Sequence, residues 1–433
     1  MGGYSGRRGE AISEHSLVEV PMKPFRFVHI ADVHLDTPFL CRENLVRKRL
    51  REALRQAFAR AVDLVLSERA HALLIAGDLF DNDLLSFTTE GFLLEQMARL
   101  REAGVPVFYA TGNHDPGRTN YRAAHIPWPD NVHLFRSTSP ETVPVRDAEG
   151  DIVGYVTGVG HVTARQAENL AQRFPSQQEP GHVALLHAWV RETSADPPDR
   201  CAPCSVEDLR GKGYAYWALG HIHSRHTVCI DPLACYPGNL QGRTPREIGV
   251  KGGLLVEVTG RSAQATFYPL STVRWETAAL DDLKEVSSSA ELHRRVKERL
   301  ARVTSDDTAE FLLRVVLRGP CPLHRELGQE DNLEALATEI EAEVGALYVE
   351  VDADAILRPV EVDDHRDSVS VLGTLLALID EARSDDELAR RLAEEELAAV
   401  SEGEVADPVK YIRSLLVDLE EEAVARMVAD DGS

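Results

Sequence analysis

Leu73-Leu74-Ile75-Ala76-Gly77-Asp78-Leu79-Phe80-Asp81 is the stretch that decides how this chain is read. Its apolar start matches a strand buried on both faces. The run then stops at a glycine and a carboxylate. Glycine lets the backbone turn sharply, which leaves Asp78 at the carboxyl end of the strand, where open α/β sheets bind their ligands. A carboxylate has two oxygens and can reach two metal ions at once, which an imidazole cannot do. Asp78 therefore reads as the bridge of a two-metal centre.

Working outward, the run from Phe25 to Ala31 is a second strand, ending in Asp32-Val33-His34. Between the two strands, Leu45, Leu50, Leu54, Phe58, Ala61, Leu64 and Val65 recur at helical spacing, so residues 43–69 are expected as one amphipathic helix. A further helix over 89–103 leads to a strand over 105–110 that ends in Gly112-Asn113-His114-Asp115. Strand, helix, strand, helix, strand implies a parallel sheet, and each of its strands ends in metal-ligand chemistry. After Pro129, strands are expected at 153–156, 183–186, 215–219, 227–230, 254–258 and 265–268, as a second sheet packed on the first. The second of these ends in His187 and the next in Gly220-His221-Ile222-His223 by the same reading. In extended chain, His221 and His223 share a face. Aspartate and neutral histidine together suit Mn, Fe or Zn better than Mg or Ca alone.

The chain has 433 residues, enough for about two to three domains. No apolar run approaches the ~18–20 residues of a membrane span, and no export signal is evident, so the cytoplasm is expected. The net charge of −24 looks wrong for a partner of nucleic acid, but its distribution matters. Residues 271–433 hold 18 Lys and Arg against 40 Asp and Glu, while 1–270 hold 29 against 31. The first part, nearly neutral and able to carry bound cations, can accept a polyanion; the acidic remainder would repel one. Expected units are an arm over 1–24, a catalytic domain over 25–275, an α+β capping domain over 276–365 and an acidic helical region over 366–433. In the last, Ser384-Asp385-Asp386-Glu387 has the form of a capping box and Asp407-Pro408 opens a helix.

Cys201 and Cys204 form a lone C-x-x-C, where a zinc ribbon wants two such pairs; ordinary thiols are expected. His29 and His182 read as core or edge residues, and His125, His161 and His226 as surface or loop.

Each short motif alone has a bland reading as a turn or a buried, hydrogen-bonded pair. In one order, all at strand ends, they resemble the calcineurin-like metallophosphoesterases, whose pattern is D-x-H, G-D, G-N-H, a lone H, then G-H-x-H. The residues that carry the resemblance are His29 to Asp36, Gly77 to Asp81, Gly112 to Asp115, Leu185-Leu186-His187 and Gly220 to His223. With Tyr236-Pro237-Gly238-Asn239-Leu240-Gln241-Gly242-Arg243, the chain is closer still to DNA-repair nucleases of the SbcD type, in their YhaO-like bacterial branch.

The resemblance implies an α/β fold: a two-sheet αββα sandwich with a small α+β cap and a helical C-terminus. It implies two divalent ions, usually Mn, one on Asp32, His34, Asp78 and His223, the other on Asp78, Asn113, His187 and His221. His114 would serve the leaving group, oriented by Asp115. Arg243 and Arg246 are candidate phosphate contacts. The phosphatase branch has an arginine after G-D-x-x-D, where this chain has Asn82. The expected activity is a DNA exonuclease, able also to cut single strands, working with DNA and with a coiled-coil SbcC-type ATPase on the C-terminal helices; a homodimer is compatible with this. The alternatives are a phosphoesterase acting on nucleotides, cyclic nucleotides or phosphoproteins, and a scaffold without catalysis.

Overall fold

The computed structural model describes residues 23–39, 44–81, 85–117, 125–191, 201–301, 310–396 and 407–428. Nearly all of the expected N-terminal arm, Asn82 and most of the polar stretch before Cys204 lie outside them.

Strand β1 (Phe25–Ile30) leads through helix α1 (Asn44–Ser67) to β2 (Ala72–Ala76), and α2 (Phe87–Glu102) leads on to β3 (Val107–Ala110) and β4 (Val132–Phe135). These four strands pair in parallel in chain order. The apolar runs of β2 and β3 are continuous because both faces are covered. In β2, Leu73 and Ile75 meet Leu54 and Phe58 of α1 and Met97 of α2 in one core. Ala72, Leu74 and Ala76 lie in the core between the sheets, with Phe25, Phe108 and Tyr216. Ser86 starts α2 by accepting the Thr89 N–H at 3.1 Å.

The second sheet holds β5 (Glu141–Arg146), β6 (Ile152–Gly158), β7 (His182–His187), β10 (Tyr216–Gly220), β11 (His226–Ile230) and β12 (Leu233–Tyr236), in the order β11-β12-β10-β7-β6-β5. Between β7 and β10 lie a two-residue ladder, β8 (Val190–Arg191) with β9 (Cys204–Ser205), and the one-turn α3 (Val206–Leu209). β13 (Gly252–Thr259) and β14 (Ser262–Pro269) depart from expectation: they return to the first sheet, where β13 lies antiparallel beside β1. Leu254, Val256 and Val258 face the core between the sheets, so their alternation suits either sheet. Only the open edge of β1 decides the matter, and a hydrophobic pattern does not record edges.

β15 (Val273–Leu280), unforeseen as a strand, runs across the boundary expected near 275. Its Val273 and Trp275 belong to the core under α1, and its Ala278 and Leu280 to the core of the cap. The cap adds α4 (Ser289–Leu300), β16 (Glu310–Pro320), α5 (His324–Leu327), α6 (Glu330–Val344) and β17 (Tyr348–Leu357) in a parallel sheet ordered β15-β16-β17.

The C-terminal region holds α7 (Asp363–Arg366), α8 (Val371–Ser384), α9 (Asp386–Glu396) and α10 (Pro408–Met427). Glu420 of α10 ties it to Arg366 at 2.8 Å and Arg383 at 3.1 Å. Asp407 caps α10 through the Lys410 N–H. The box expected from Ser384 is replaced by a cap one residue later: Asp385 accepts from Glu387 and Leu388, and the Ser384 hydroxyl turns back to the Asp380 carbonyl. Among the described residues no helix is long and apolar enough to cross a membrane.

Candidate metal centre

The parallel strands deliver their carboxyl ends to one place. The turns after β1 and β2 run side by side, with the Asp32 N–H on the Gly77 carbonyl at 3.2 Å and the His34 N–H on the Asp78 carbonyl at 2.9 Å. Across the sandwich, β7 and β10 pair so that His187 faces Gly220, which sets His187 and His221 opposite those turns. The backbone is strained where the side chains converge: φ is +50° at Asp32, +50° at His34, +52° at Asp78 and +110° at His221. Non-glycine residues rarely hold such values, at a cost of about 1–3 kcal/mol each, and they cluster at functional sites. Gly77 leaves room for the site, since a Cβ there would overlap the His187 ring.

All seven expected ligands come together. Asp32, His34 and His223 offer donor atoms within 4.8 Å of one another, and so do Asp32, Asp78 and His187. Asp78 Oδ2 lies 3.7 Å from His34 Nε2 and 3.5 Å from His187 Nε2. Asn113 Oδ1 lies 2.9 Å from His187 Nε2 and 3.2 Å from His221 Nδ1. Asp32 takes the His221 N–H on both oxygens at 3.1 Å.

The electrostatics fit cations. Burial pushes the Asp32 carboxyl up to about 7, with His223 opposing and the Asp78 charge adding to it. Burial also works against the Asp78 carboxylate, but the His187, His34 and His114 imidazoles hold it well below the usual range. Burial pushes His34 down to about 4 and His187 to about 3, so both present neutral imidazoles. Both ring nitrogens of His34 are buried without a hydrogen-bond partner. A buried polar atom in that state is costly. Carboxylates and a bare lone pair converging on one point are the donor set of a borderline divalent ion.

His114 sits at the rim, its ring centroid 4.7 Å from that of His34. One expectation is corrected here. Asp115 does not orient His114. Its buried carboxylate gathers backbone N–H groups instead, from Leu79 and Gly112 at 2.6 Å and Asp78 at 3.3 Å, and takes the Tyr109 hydroxyl. It thereby pins the Asp78 turn to the Asn113 turn. The residue beside His114 is Asp81, whose Oδ1 lies 2.8 Å from His114 Nδ1. The nearer residue in sequence was the wrong partner because consecutive side chains in a tight turn diverge.

Arg243 reaches the site: its Nη1 is 3.7 Å from Asp81 Oδ2 and 3.4 Å from Thr37 Oγ1. Arg246 is exposed and makes none of these contacts. Two residues were not foreseen. Glu247 holds His223, with Oε1 2.7 Å from Nδ1. His161, read from sequence as surface or loop, is fully buried; its Nε2 donates to the His187 carbonyl at 2.6 Å, and Cys201 Sγ lies 3.5 Å from Nδ1. No periodic signal marks either one. Among the described residues no cluster of three potential ligands includes a cysteine.

A family model described as calcineurin-like phosphoesterase matches residues 25–225, and one for the middle domain of the metallophosphoesterase YhaO matches 275–356. The protein named "Uncharacterized metallophosphoesterase YhaO" of Bacillus subtilis is 32% identical over 358 residues, 81% of this chain and 84% of that one. The chain belongs to the calcineurin-like metallophosphoesterases. Within the family, this metallophosphoesterase falls with the YhaO branch. It is also similar to proteins named "DNA double-strand break repair protein Mre11": 25% identical over 210 residues to that of Sulfurisphaera tokodaii and 36% over 249 residues to that of Aeropyrum pernix. Those matches cover 48% and 54% of this metallophosphoesterase and 52% and 58% of the relatives, so it spans little more than half their length.

Proposed function

We propose that this metallophosphoesterase is a two-metal phosphodiesterase acting on DNA, an exonuclease with single-strand endonuclease capacity that serves DNA repair. The observation that carries the reading is the meeting of seven ligand-type side chains beside an imidazole backed by a carboxylate. The similarity to Mre11 proteins supports DNA as the substrate class.

In this reading Asp32, His34, Asp78 and His223 hold one divalent ion, most suitably Mn, and Asp78, Asn113, His187 and His221 hold the other. Such a pair supplies positive charge to the phosphate and activates water for in-line attack. The chain's own groups do the rest. His114 donates its Nε2 proton to the departing sugar oxygen while Asp81 keeps Nδ1–H in place and stabilises the imidazolium. Burial alone would lower the His114 value, but the Asp81 hydrogen bond and the Asp78 charge raise it, as suits an acid. Arg243 contacts a non-bridging phosphate oxygen.

A second reading, a phosphodiesterase for nucleotides or cyclic nucleotides, is favoured by the cap. A cleft of about 1180 Å³ opens from Asp81 and Arg243 towards Glu350, Asp352 and Asp354 of β17. Their spacing of two puts these carboxylates on one face of the strand, and a long polyanion passing that way meets repulsion. The scaffold reading would require lost ligand positions, and all seven are filled in the sequence.

As partners, a coiled-coil ATPase of the SbcC type suits α10, where Tyr411, Leu415 and Leu419 are exposed at intervals of four residues; the cytoplasm is the matching compartment. The test is incubation with Mn and, separately, labelled duplex DNA, circular single strands, a cyclic nucleotide and a phosphopeptide, with His114→Ala as control. Shortening of the duplex from its ends supports the nuclease. Turnover of the cyclic nucleotide alone favours the second reading, and turnover of none despite two bound metals favours the scaffold.

A further inference from the structure

We infer that Glu247 is the positioning residue for one half of the metal centre. Its carboxylate decides which nitrogen of His223 faces the Asp32/His34 side, and it ties that choice to the loop that carries Arg243. The inference rests on reading these residues as a metal centre.

A neutral imidazole carries one N–H and one lone pair, and a carboxylate accepts only. Glu247 Oε1 lies 2.7 Å from His223 Nδ1, well inside the 3.4 Å of the Arg243 Nη2 on the same nitrogen, so the shorter contact puts the proton on Nδ1. The lone pair is then on Nε2, which lies 3.9 Å from Asp32 Oδ1, inside the group of Asp32, His34 and His223. The other oxygen of Glu247 is equally committed: Oε2 accepts from the Arg243 backbone N–H at 2.6 Å and from Asn239 Nδ2 at 2.9 Å. Three donors thus converge on one largely buried carboxylate, with 12% of its side chain exposed.

The other half of the centre is oriented differently. His187 Nδ1 donates to the Ala76 backbone carbonyl at 2.8 Å, a partner that no side-chain substitution removes. His187 thus takes its tautomer from the backbone and His223 from a side chain, so a change at Glu247 should separate the two ions.

Glu247→Gln is the test. An amide has one accepting end and one donating end. If its NH2 faces His223, it donates to Nδ1, moves the proton to Nε2 and takes the lone pair away from the metal side. If its oxygen faces His223, the NH2 meets two other donors. Calorimetric titration of the metal-free protein with Mn should give two ions in the wild type. In the variant, one ion should bind ~10–100-fold more weakly, the usual effect of losing an orienting partner, and the other as before. Arg246→Ala, at an exposed side chain of the same loop, should retain both affinities. Equal weakening of both ions in Glu247→Gln, no weakening of either, or the same pattern in Arg246→Ala overturns the inference. A wild type that binds no Mn overturns the metal-centre reading itself.

A measurement on the unmutated chain does not depend on a variant folding. The ¹⁵N shifts of His223 in the metal-free protein at pH 8 should show Nδ1 protonated and Nε2 bare. The opposite tautomer overturns the inference.

Discussion

Asp81 and His114 form a carboxylate–imidazole pair 2.8 Å apart, joined from strand ends that are 33 residues distant in sequence. The pair predicts an effect that depends on the leaving group. His114→Ala should lower kcat on a DNA phosphodiester by ~10²–10⁴-fold, the usual worth of a general acid, and Asp81→Asn should lower it by a smaller factor in the same direction. A 4-nitrophenyl diester, whose leaving group needs no proton, should show a much smaller loss in both variants. Steady-state rates on the two substrates check this. Equal losses on both would remove His114 from the proton-transfer step.

Arg243 and Arg246 are three residues apart but differ in placement, so they should differ in effect. A charged hydrogen bond to phosphate is worth ~1.5–3 kcal/mol, so Arg243→Ala should raise KM for the diester by about 10–100-fold. Arg246→Ala, a substitution at an exposed side chain, should stay within about ±0.5 kcal/mol. Titration of initial rate against substrate for both variants separates them. A larger effect at Arg246 would reverse the assignment.

His29 gives a pH-dependent prediction away from the metal centre. Burial between the sheets pushes its imidazole from 6.5 down to about 3, with Nδ1 3.0 Å from the Tyr216 hydroxyl. The folded value lies below the unfolded one, so unfolding takes up a proton. That stabilisation is whole above about pH 6.5 and is lost as pH falls towards 3, by up to ~1.4 kcal/mol per unit. His29→Leu, destabilised at pH 7.5 by loss of the His29–Tyr216 hydrogen bond, should approach the wild type as the medium is acidified. Urea unfolding at pH 7.5, 6, 5 and 4 measures the gap. A gap that does not narrow would place the proton elsewhere.

What was legible in the sequence was whatever the backbone period records. The runs at Phe25–Ile30, Ala72–Ala76 and Val107–Ala110 announce strands because both faces are buried, and the Asp, Asn and His residues just past strand ends are short-range features of the chain. Pairings across space were not legible. β13 has the same alternation in either sheet. His114 finds Asp81 rather than its neighbour Asp115, and Glu247 meets His223 across β11, β12 and the irregular turn that follows them. His161 looked like a loop residue because nothing in its neighbours indicates that the His187 carbonyl lies above it. The strain at Asp32, His34, Asp78 and His221 belongs to the same class. Composition does not show positive φ at non-glycine residues.

The central claim is that these side chains surround a pair of cations. It is tested most directly by electron paramagnetic resonance of the metal-free protein titrated with Mn. Two ions ~3.5–4 Å apart are magnetically coupled, so the account predicts two Mn per chain and a coupled spectrum that Asp78→Ala abolishes. One ion per chain, or two that remain uncoupled, would contradict it.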